Sequence, residues 1–554
     1  MRRITLLGFI VFISAFLRLY DIHKLPNGLH WDEQDSGYQA YSLLKTGKDY
    51  FGNSLPLFPH SLADFRTPVF IYSSIPFVKL LGLTPLSVRL PSAISGVLSV
   101  ILIYYFANLL FDAWDLRIGL LASLTLALSP WHVLYGRQSV ECNIMLPYLL
   151  LSLITFYKGL KNHNWFILSG LFFALTTATY SPAKFFSPAI LLTLFIIHYS
   201  HLKLVSKKVK LFAVAFFITV FAPVFISSAF GPAGTRFHDL SLFTDPTISA
   251  EVDRRRLTAN LSSGTTRQVG LPTRLIDKIV YNKLTLPFSF FISNYFNTYS
   301  TQFLFTQGDQ ELRHSPSKSS IGQLQLIEVI PLILGLYFLI SRSISSDSKV
   351  LILLWFLLGP VPSALTRDGG PHAARTFLLL PAFAITIAAG VHQLLSKSKY
   401  LFLAYCILFF ASSVFIYHYF FSVYRFESAD PFQWSSTQAV QAAVQNSPSY
   451  SYVYVDLHQD SALMAYLFTT GYDPAKLQSL QPLSVTRLWG DNDTQVFDNI
   501  FLLRPNTRFW NDVKLDGHSL VIAKADQPLL DTYQPKLSRI DFPDSTPALY
   551  LFKK

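Results

Sequence analysis

The chain has 554 residues, 51% of them hydrophobic and 15% aromatic, with only 14% charged. A soluble domain carries about a quarter charged residues, so a water-soluble globular protein is excluded. The formal net charge of +12 does not point to nucleic acid, because the excess base sits in short loops between apolar runs of membrane-spanning length, roughly 17 to 25 residues.

From the N-terminus, Arg2-Arg3 precede the apolar run Ile4–Tyr20. No small-x-small cleavage site follows it, so it reads as a retained helix and not a signal peptide. Further spans are expected at about 89–111, 115–131, 142–157, 165–180, 185–200, 211–228, 323–340, 350–365, 376–392 and 400–421, about 11 transmembrane helices in all. Loops on one side then hold Arg2, Arg3, Lys158, Lys161, Lys203, Lys207, Lys208, Lys210, Arg342, Lys349, Lys397 and Lys399. The opposing short loops hold only Arg137, Lys184, Arg367 and Arg375. That asymmetry puts the N-terminus in the cytoplasm and the large segments outside. Thr67–Leu83 is apolar but broken by Pro68, Pro76 and Gly82. A further span there would reverse the sidedness of every later loop, so it is expected to lie along the membrane surface.

Two membrane-domain segments therefore face the exterior, 21–88 and 229–322, within a domain spanning 1–424. In the second, Tyr281–Phe305 is dense in aromatics, as expected of anchors in the headgroup layer or of an acyl or sugar groove. Residues 425–554 read as a small extracytoplasmic α/β domain. Helices are expected at Thr437–Gln445 and Ala462–Thr470, and strands at Tyr450–Asp456, Phe501–Leu503, Ser519–Ala523 and Ala548–Phe552. This tail has no glycine-rich phosphate loop and no metal-ligand spacing. Cys142 and Cys406 lie in or beside apolar runs far apart in sequence, which suits core residues better than a disulfide or metal site.

The chemistry-bearing residues cluster in the exterior loops. Leu29-His30-Trp31-Asp32-Glu33-Gln34-Asp35 places three acids within four residues beside an apolar span, where carboxylates repel one another and lose solvation. Asp64 and Arg66 follow. The loop after the third span carries Arg137 and, four residues on, Glu141, a spacing that lets the two pair with each other or serve a site. Then come Lys184, which snorkels or binds an anion, Arg313-His314, and Arg367-Asp368-Gly369-Gly370-Pro371-His372-Ala373-Ala374-Arg375. Glu328 is the carboxylate placed well inside a span, and an acid at that depth is functional or tightly paired by default.

Several of these motifs resemble the bacterial phospholipid-carrier-dependent glycosyltransferases, relatives of the protein O-mannosyltransferases and the lipid A aminoarabinose transferase. The resemblance covers about residues 1–425. It rests on Leu29-His30-Trp31-Asp32-Glu33, Arg89-Leu90-Pro91-Ser92-Ala93, Ser129-Pro130-Trp131-His132 with Arg137 and Glu141, Gly308-Asp309 with Arg313-His314, and Pro371-His372-Ala373-Ala374-Arg375. It implies a polytopic α-helical GT-C fold in the bacterial cytoplasmic (inner) membrane. It also implies transfer of a sugar from a polyprenyl-phosphate donor to a hydroxyl on a protein, lipid or glycan. Carried over, Asp32 is the catalytic base or acceptor-positioning group, with Glu33 its neighbour, and Glu141 is the second acidic position. Arg137, Lys184, Arg313, His314, His372 and Arg375 are the candidates for the donor phosphate, with Asp35, Arg66 and Glu328 as further candidates. No cofactor is required. A divalent metal bridged by Asp32 and Glu141 is compatible with the chemistry and not demanded by it. Two other readings stand beside this one: a transporter or flippase of a lipid-linked anionic glycan, and a non-catalytic assembly partner acting through its tail. The lack of an internal repeat, and charges placed at one face rather than the midplane, weigh against the transporter.

Overall fold

The computed structural model describes residues 2–62, 65–111, 117–262, 275–341, 346–457, 462–479, 494–503, 518–525 and 536–553. Asp64 and Arg342 lie outside the described residues. Six helices among them are long and apolar enough to cross a membrane: Pro85–Leu110, Glu141–Lys161, Lys207–Phe230, Asp347–Ala364, Ala373–Lys397 and Lys399–Glu427. Shorter apolar helices, among them Arg117–Ala127, Trp165–Thr179, Ala183–Ile197 and Leu326–Ile340, complete the bundle. Pro68–Leu81 has 14 residues. At 1.5 Å per residue it reaches about 21 Å, short of the roughly 30 Å hydrocarbon layer.

The first long loop folds around the helix Trp31–Thr46. It begins where it does because His30 caps it: His30 Nδ1 accepts the Asp32 backbone N–H, and the Glu33 side chain returns to the His30 N–H. Asp32 and Glu33 in the first turn also suit the helix dipole. Gly47, at φ +68°, ends it in the left-handed conformation that glycine tolerates. The helix is held from both sides. A Cβ on Gly37 would lie 2.6 Å from Val88 Cγ1 and 2.7 Å from Phe468 Cε2, so only glycine lets span and tail approach so closely.

The tail is an α/β unit with a six-stranded mixed sheet, β1 Tyr452–Asp456, β2 Thr494–Phe497, β3 Ile500–Leu503, β4 Ser519–Lys524, β5 Lys536–Asp541 and β6 Pro547–Lys553. Their order across the sheet is β2-β3-β1-β4-β6-β5. β1 runs parallel to both β3 and β4, while the outer pairings are antiparallel. The four expected strands and both expected helices are present. β2 and β5 were not anticipated. β5 is a polar edge strand, Lys536-Leu537-Ser538-Arg539-Ile540-Asp541, whose two large apolar residues, Leu537 and Ile540, are three apart and give no alternation signal. The tail's core is continuous with that first loop: Tyr38, Tyr50, Phe51 and Leu62 pack in one cluster with Val453, Leu467, Ile500 and Leu520. Trp31 N donates to Gln433 Oε1 at 2.8 Å, and Tyr38 OH to the Tyr472 carbonyl at 2.9 Å. Of the segment dense in aromatics, Phe288 and Phe296 are exposed, whereas Phe303 and Phe305 are core.

Candidate active site

Asp32 occupies the second position of its helix, between two arginines. Its Oδ1 accepts from Arg66 Nη2 at 2.5 Å and its Oδ2 from Arg313 Nη1 at 2.8 Å, with His30 Nδ1 3.3 Å away. Its side chain keeps 30% exposure, so it is reachable. Burial opposes its charge, but Arg66, His30 and Arg313 outweigh that and hold the carboxyl well below the usual range.

Arg66 is the hub. Its guanidinium stacks on the Trp31 ring, 5.6 Å from the centroid, and its Nε donates to Asp35 Oδ2 at 3.0 Å. Its Nη1 lies 3.8 Å from Glu141 Oε1. Asp35 is fully buried and also accepts from Tyr50 OH at 2.6 Å and Ser61 Oγ at 3.0 Å. It therefore anchors Arg66 from behind and has no access to a ligand. Burial pushes its carboxyl up, against the pull of Arg66.

Glu33 is not a second reactive acid. It is buried in a two-point ion pair, Arg89 Nε to Oε1 and Nη2 to Oε2, both at 3.0 Å. Its Oε1 also accepts the Ser139 backbone N–H at 2.9 Å. Arg89 spends its other donors on the Ile22, Pro26 and Gly28 carbonyls. This pair ties the loop that leads into Glu141 to the helix that carries Asp32.

Beside the carboxylates lies a cavity of about 430 Å³, walled by Phe65, Phe185, Phe221, Val224, Phe225 and Leu365, with Glu141, Lys184 and Arg375 as its charged groups. Lys184 Nζ donates to Ser228 Oγ at 2.8 Å and lies 5.0 Å from the Phe58 ring centroid. Arg375 grips Asp368 through two bonds of 2.7 and 2.9 Å and reaches Thr366 Oγ1 at 2.6 Å. Glu141 thus faces both the cavity and Arg66. Ser228, near the end of helix Lys207–Phe230, lines the cavity, while Lys207, Lys208 and Lys210 are at the helix start. Its 24 residues span about 36 Å, so the cavity and the lysine cluster lie at opposite ends of the bundle.

Several other sequence candidates fall elsewhere. Arg137 is fully buried and donates to the Leu17, Tyr20 and Leu25 carbonyls at 2.7 to 3.0 Å, with its guanidinium against the Phe420 and Phe421 rings. It neither pairs with Glu141 nor reaches the cavity. It locks the end of the first helix. His314 is buried against Tyr135, whose hydroxyl is 2.9 Å from its Nδ1. Burial, with Arg313 and His372 beside it, keeps the imidazole well below its usual pKa, so it is neutral at pH 7 and unsuited to hold a phosphate by charge. His372 packs on His314, centroids 5.0 Å apart, outside the cavity lining. Glu328 is buried and closes a turn, its Oε2 accepting the Gln325 N–H at 2.8 Å. It has no cationic partner among the described residues. Arg313 stays with Asp32 rather than the cavity.

The sequence reading gave no role to Arg89 or Asp309. Arg89 was detectable as an arginine opening an apolar span. Asp309 Oδ2 accepts the Ala373 N–H at 2.7 Å, joining the loop of Arg313 to the loop of Arg375. Burial, against that hydrogen bond, raises its carboxyl to about 6. No group of three or more His, Cys, Asp or Glu placed to hold a metal ion occurs among the described residues. The Arg66 guanidinium lies between Asp32 and Glu141, 2.5 Å from the one and 3.8 Å from the other.

Residues 66–226 match the family model described as dolichyl-phosphate-mannose-protein mannosyltransferase. No curated protein matches the sequence. Among solved structures, the oligosaccharyltransferase AglB from Archaeoglobus fulgidus, in complex with an inhibitory peptide and a dolichol-phosphate, is similar with a TM-score of 0.50 at 11% identity. That alignment covers 94% of this chain and 69% of that one. ArnT from Cupriavidus metallidurans, bound to undecaprenyl phosphate, aligns over 99% of this chain and 97% of that chain, at 11% identity and a TM-score of 0.46. The chain has the GT-C fold of membrane glycosyltransferases, with a small C-terminal sheet domain.

Proposed function

We propose that this protein moves a sugar from a polyprenyl-phosphate donor to a hydroxyl acceptor at the extracytoplasmic face of the bacterial inner membrane. The observation that carries the reading is the cavity: apolar walls for a prenyl chain, Lys184 and Arg375 for a phosphate, and Glu141 linking it through Arg66 to Asp32. An anionic head with an apolar tail is the ligand that such a combination favours.

The reaction follows from those parts. The acceptor hydroxyl oxygen attacks the anomeric carbon while the bond to the phosphate oxygen breaks, and its electron pair leaves on the phosphate. The hydroxyl proton passes to Asp32. One displacement gives an inverted glycoside and free lipid phosphate. Asp32, held by two arginines, is a weak base, so its hydrogen bond to the acceptor orients the oxygen early and takes the proton late, as charge leaves that oxygen. Lys184 and Arg375 stabilise the departing phosphate. This reading assigns no step to a metal or other cofactor.

The test uses the purified protein in lipid nanodiscs with a panel of undecaprenyl-phosphate sugars, following release of free undecaprenyl phosphate. Release by the wild type and its loss in Asp32→Asn, with donor binding retained, is expected. Donor movement across the bilayer without release would establish the flippase reading instead.

A further inference from the structure

Between the tail and the exterior end of the bundle lies a second cleft, of about 590 Å³. One wall is Gln310, Leu312 and Lys318, from the loop that also carries Arg313 to Asp32. A second is the segment leaving the last helix, with Phe426, Glu427 and Asp430. The third comes from the sheet, with Lys524 at the end of β4 and Phe542, Asp544 and Thr546 in the turn between β5 and β6. Nothing in the donor reading uses these residues.

The lining points to one ligand chemistry. Lys524 Nζ lies 3.2 Å from Asp430 Oδ1, so a donor and an acceptor sit side by side, the pattern that neighbouring hydroxyls match. Glu427, Asp544 and Gln310 add polar groups around the rim. Phe542, packed on Trp434 with centroids 5.8 Å apart, and the exposed Phe426 offer aromatic faces. The negative face of a ring suits the C–H face of a pyranose. An extended peptide would instead be expected to add to a free strand edge. Here the backbone is closed, since β4 and β6 pair with each other and Ala525 N donates to the Ala548 carbonyl at 2.9 Å.

We infer that this cleft is the acceptor subsite and that it takes a saccharide, whose reactive hydroxyl extends past Leu312 and Arg313 to Asp32. The inference rests on the transfer reaction proposed above. Its logic is geometric: the loop 310–318 has one residue on the carboxylate and its neighbours in the cleft, so a saccharide seated there borders the reactive group.

The full-length protein in nanodiscs is probed with maltotriose, mannotriose and chitotriose by saturation-transfer NMR, alongside hydrolytic release of undecaprenyl phosphate from the donor, in which water takes the sugar in place of the acceptor. At least one trisaccharide is expected to bind. Lys524→Ala and Phe542→Ala are each expected to weaken it at least tenfold while leaving release at the wild-type rate. Asp430→Asn, at an exposed position, serves the same purpose should Phe542→Ala fail to fold. No binding by any trisaccharide, unchanged binding in these variants, or binding of a serine-containing peptide to the cleft would overturn the inference. Release of lipid phosphate with unaltered saccharide binding in the variants sinks the cleft alone. Saccharide binding lost in the variants, with no release by the wild type, sinks the transfer reaction alone.

Discussion

Arg66 donates to Asp32 at 2.5 Å while its far nitrogen lies 3.8 Å from Glu141, so one guanidinium bridges the proposed base and the acid that lines the donor cavity. A lysine can supply the charge but not the fork. Arg66→Lys is therefore expected to fold and bind donor yet lose most of its turnover, roughly tenfold or more on the scale of a misplaced catalytic group. Retention of full activity in a lipid-phosphate release assay would remove Arg66 from this role.

Arg313 is one of the cations that hold the Asp32 carboxyl low. Removing a cation raises the pKa of a neighbouring acid. In Arg313→Ala the acid limb of kcat/KM should move to higher pH, because Asp32 then takes up a proton more readily as the pH falls. A pH–rate profile of wild type and variant measures this, and coincident acid limbs would contradict it.

The Arg89–Glu33 pair is buried on both sides, with side-chain exposures of 0% and 3%. Arg89→Ala leaves an uncompensated carboxylate and is expected to cost about 3–5 kcal/mol. The double replacement Glu33→Gln with Arg89→Met should recover part of that loss. Thermal unfolding in detergent, monitored by tryptophan fluorescence, distinguishes the two.

Lys184 and Arg375 face the cavity without touching Asp32. Replacing either by alanine should raise the KM for the lipid donor about 10- to 100-fold, the worth of one charged hydrogen bond of about 1.5–3 kcal/mol. Unchanged donor affinity in both variants would move the phosphate elsewhere.

Asp309 has its carboxyl raised to about 6 by burial, above the roughly 3.9 of an unfolded aspartate. Folding therefore favours the protonated form. The associated stability is present in full below pH about 4 and is lost as the pH rises through 6. Asp309→Asn keeps an oxygen for the Ala373 N–H and removes the titration. Its melting temperature should fall less than that of the wild type between pH 4 and 8.

Much of this protein is legible in its sequence because membranes impose a one-dimensional code. Apolar length placed the spans, as with Glu141–Lys161 and Lys207–Phe230, and lysine asymmetry predicted a sidedness. The cluster around Asp32 was visible because three acids beside an apolar span need compensation. Tertiary structure alone decided the division of labour among those acids. Asp35, Glu33 and Asp32 are neighbours on one helix, but only contacts made by Arg66, Arg89 and Arg313 over separations of 31, 56 and 281 residues leave Asp32 accessible and bury the others. Arg137 and Arg375 look alike as loop arginines, yet one ends on three backbone carbonyls and the other at a cavity. Sequence spacing sets which residues share a helix face. Which charge meets which across the bundle depends on packing, because Coulomb and desolvation energies follow distance and burial in space, not order along the chain.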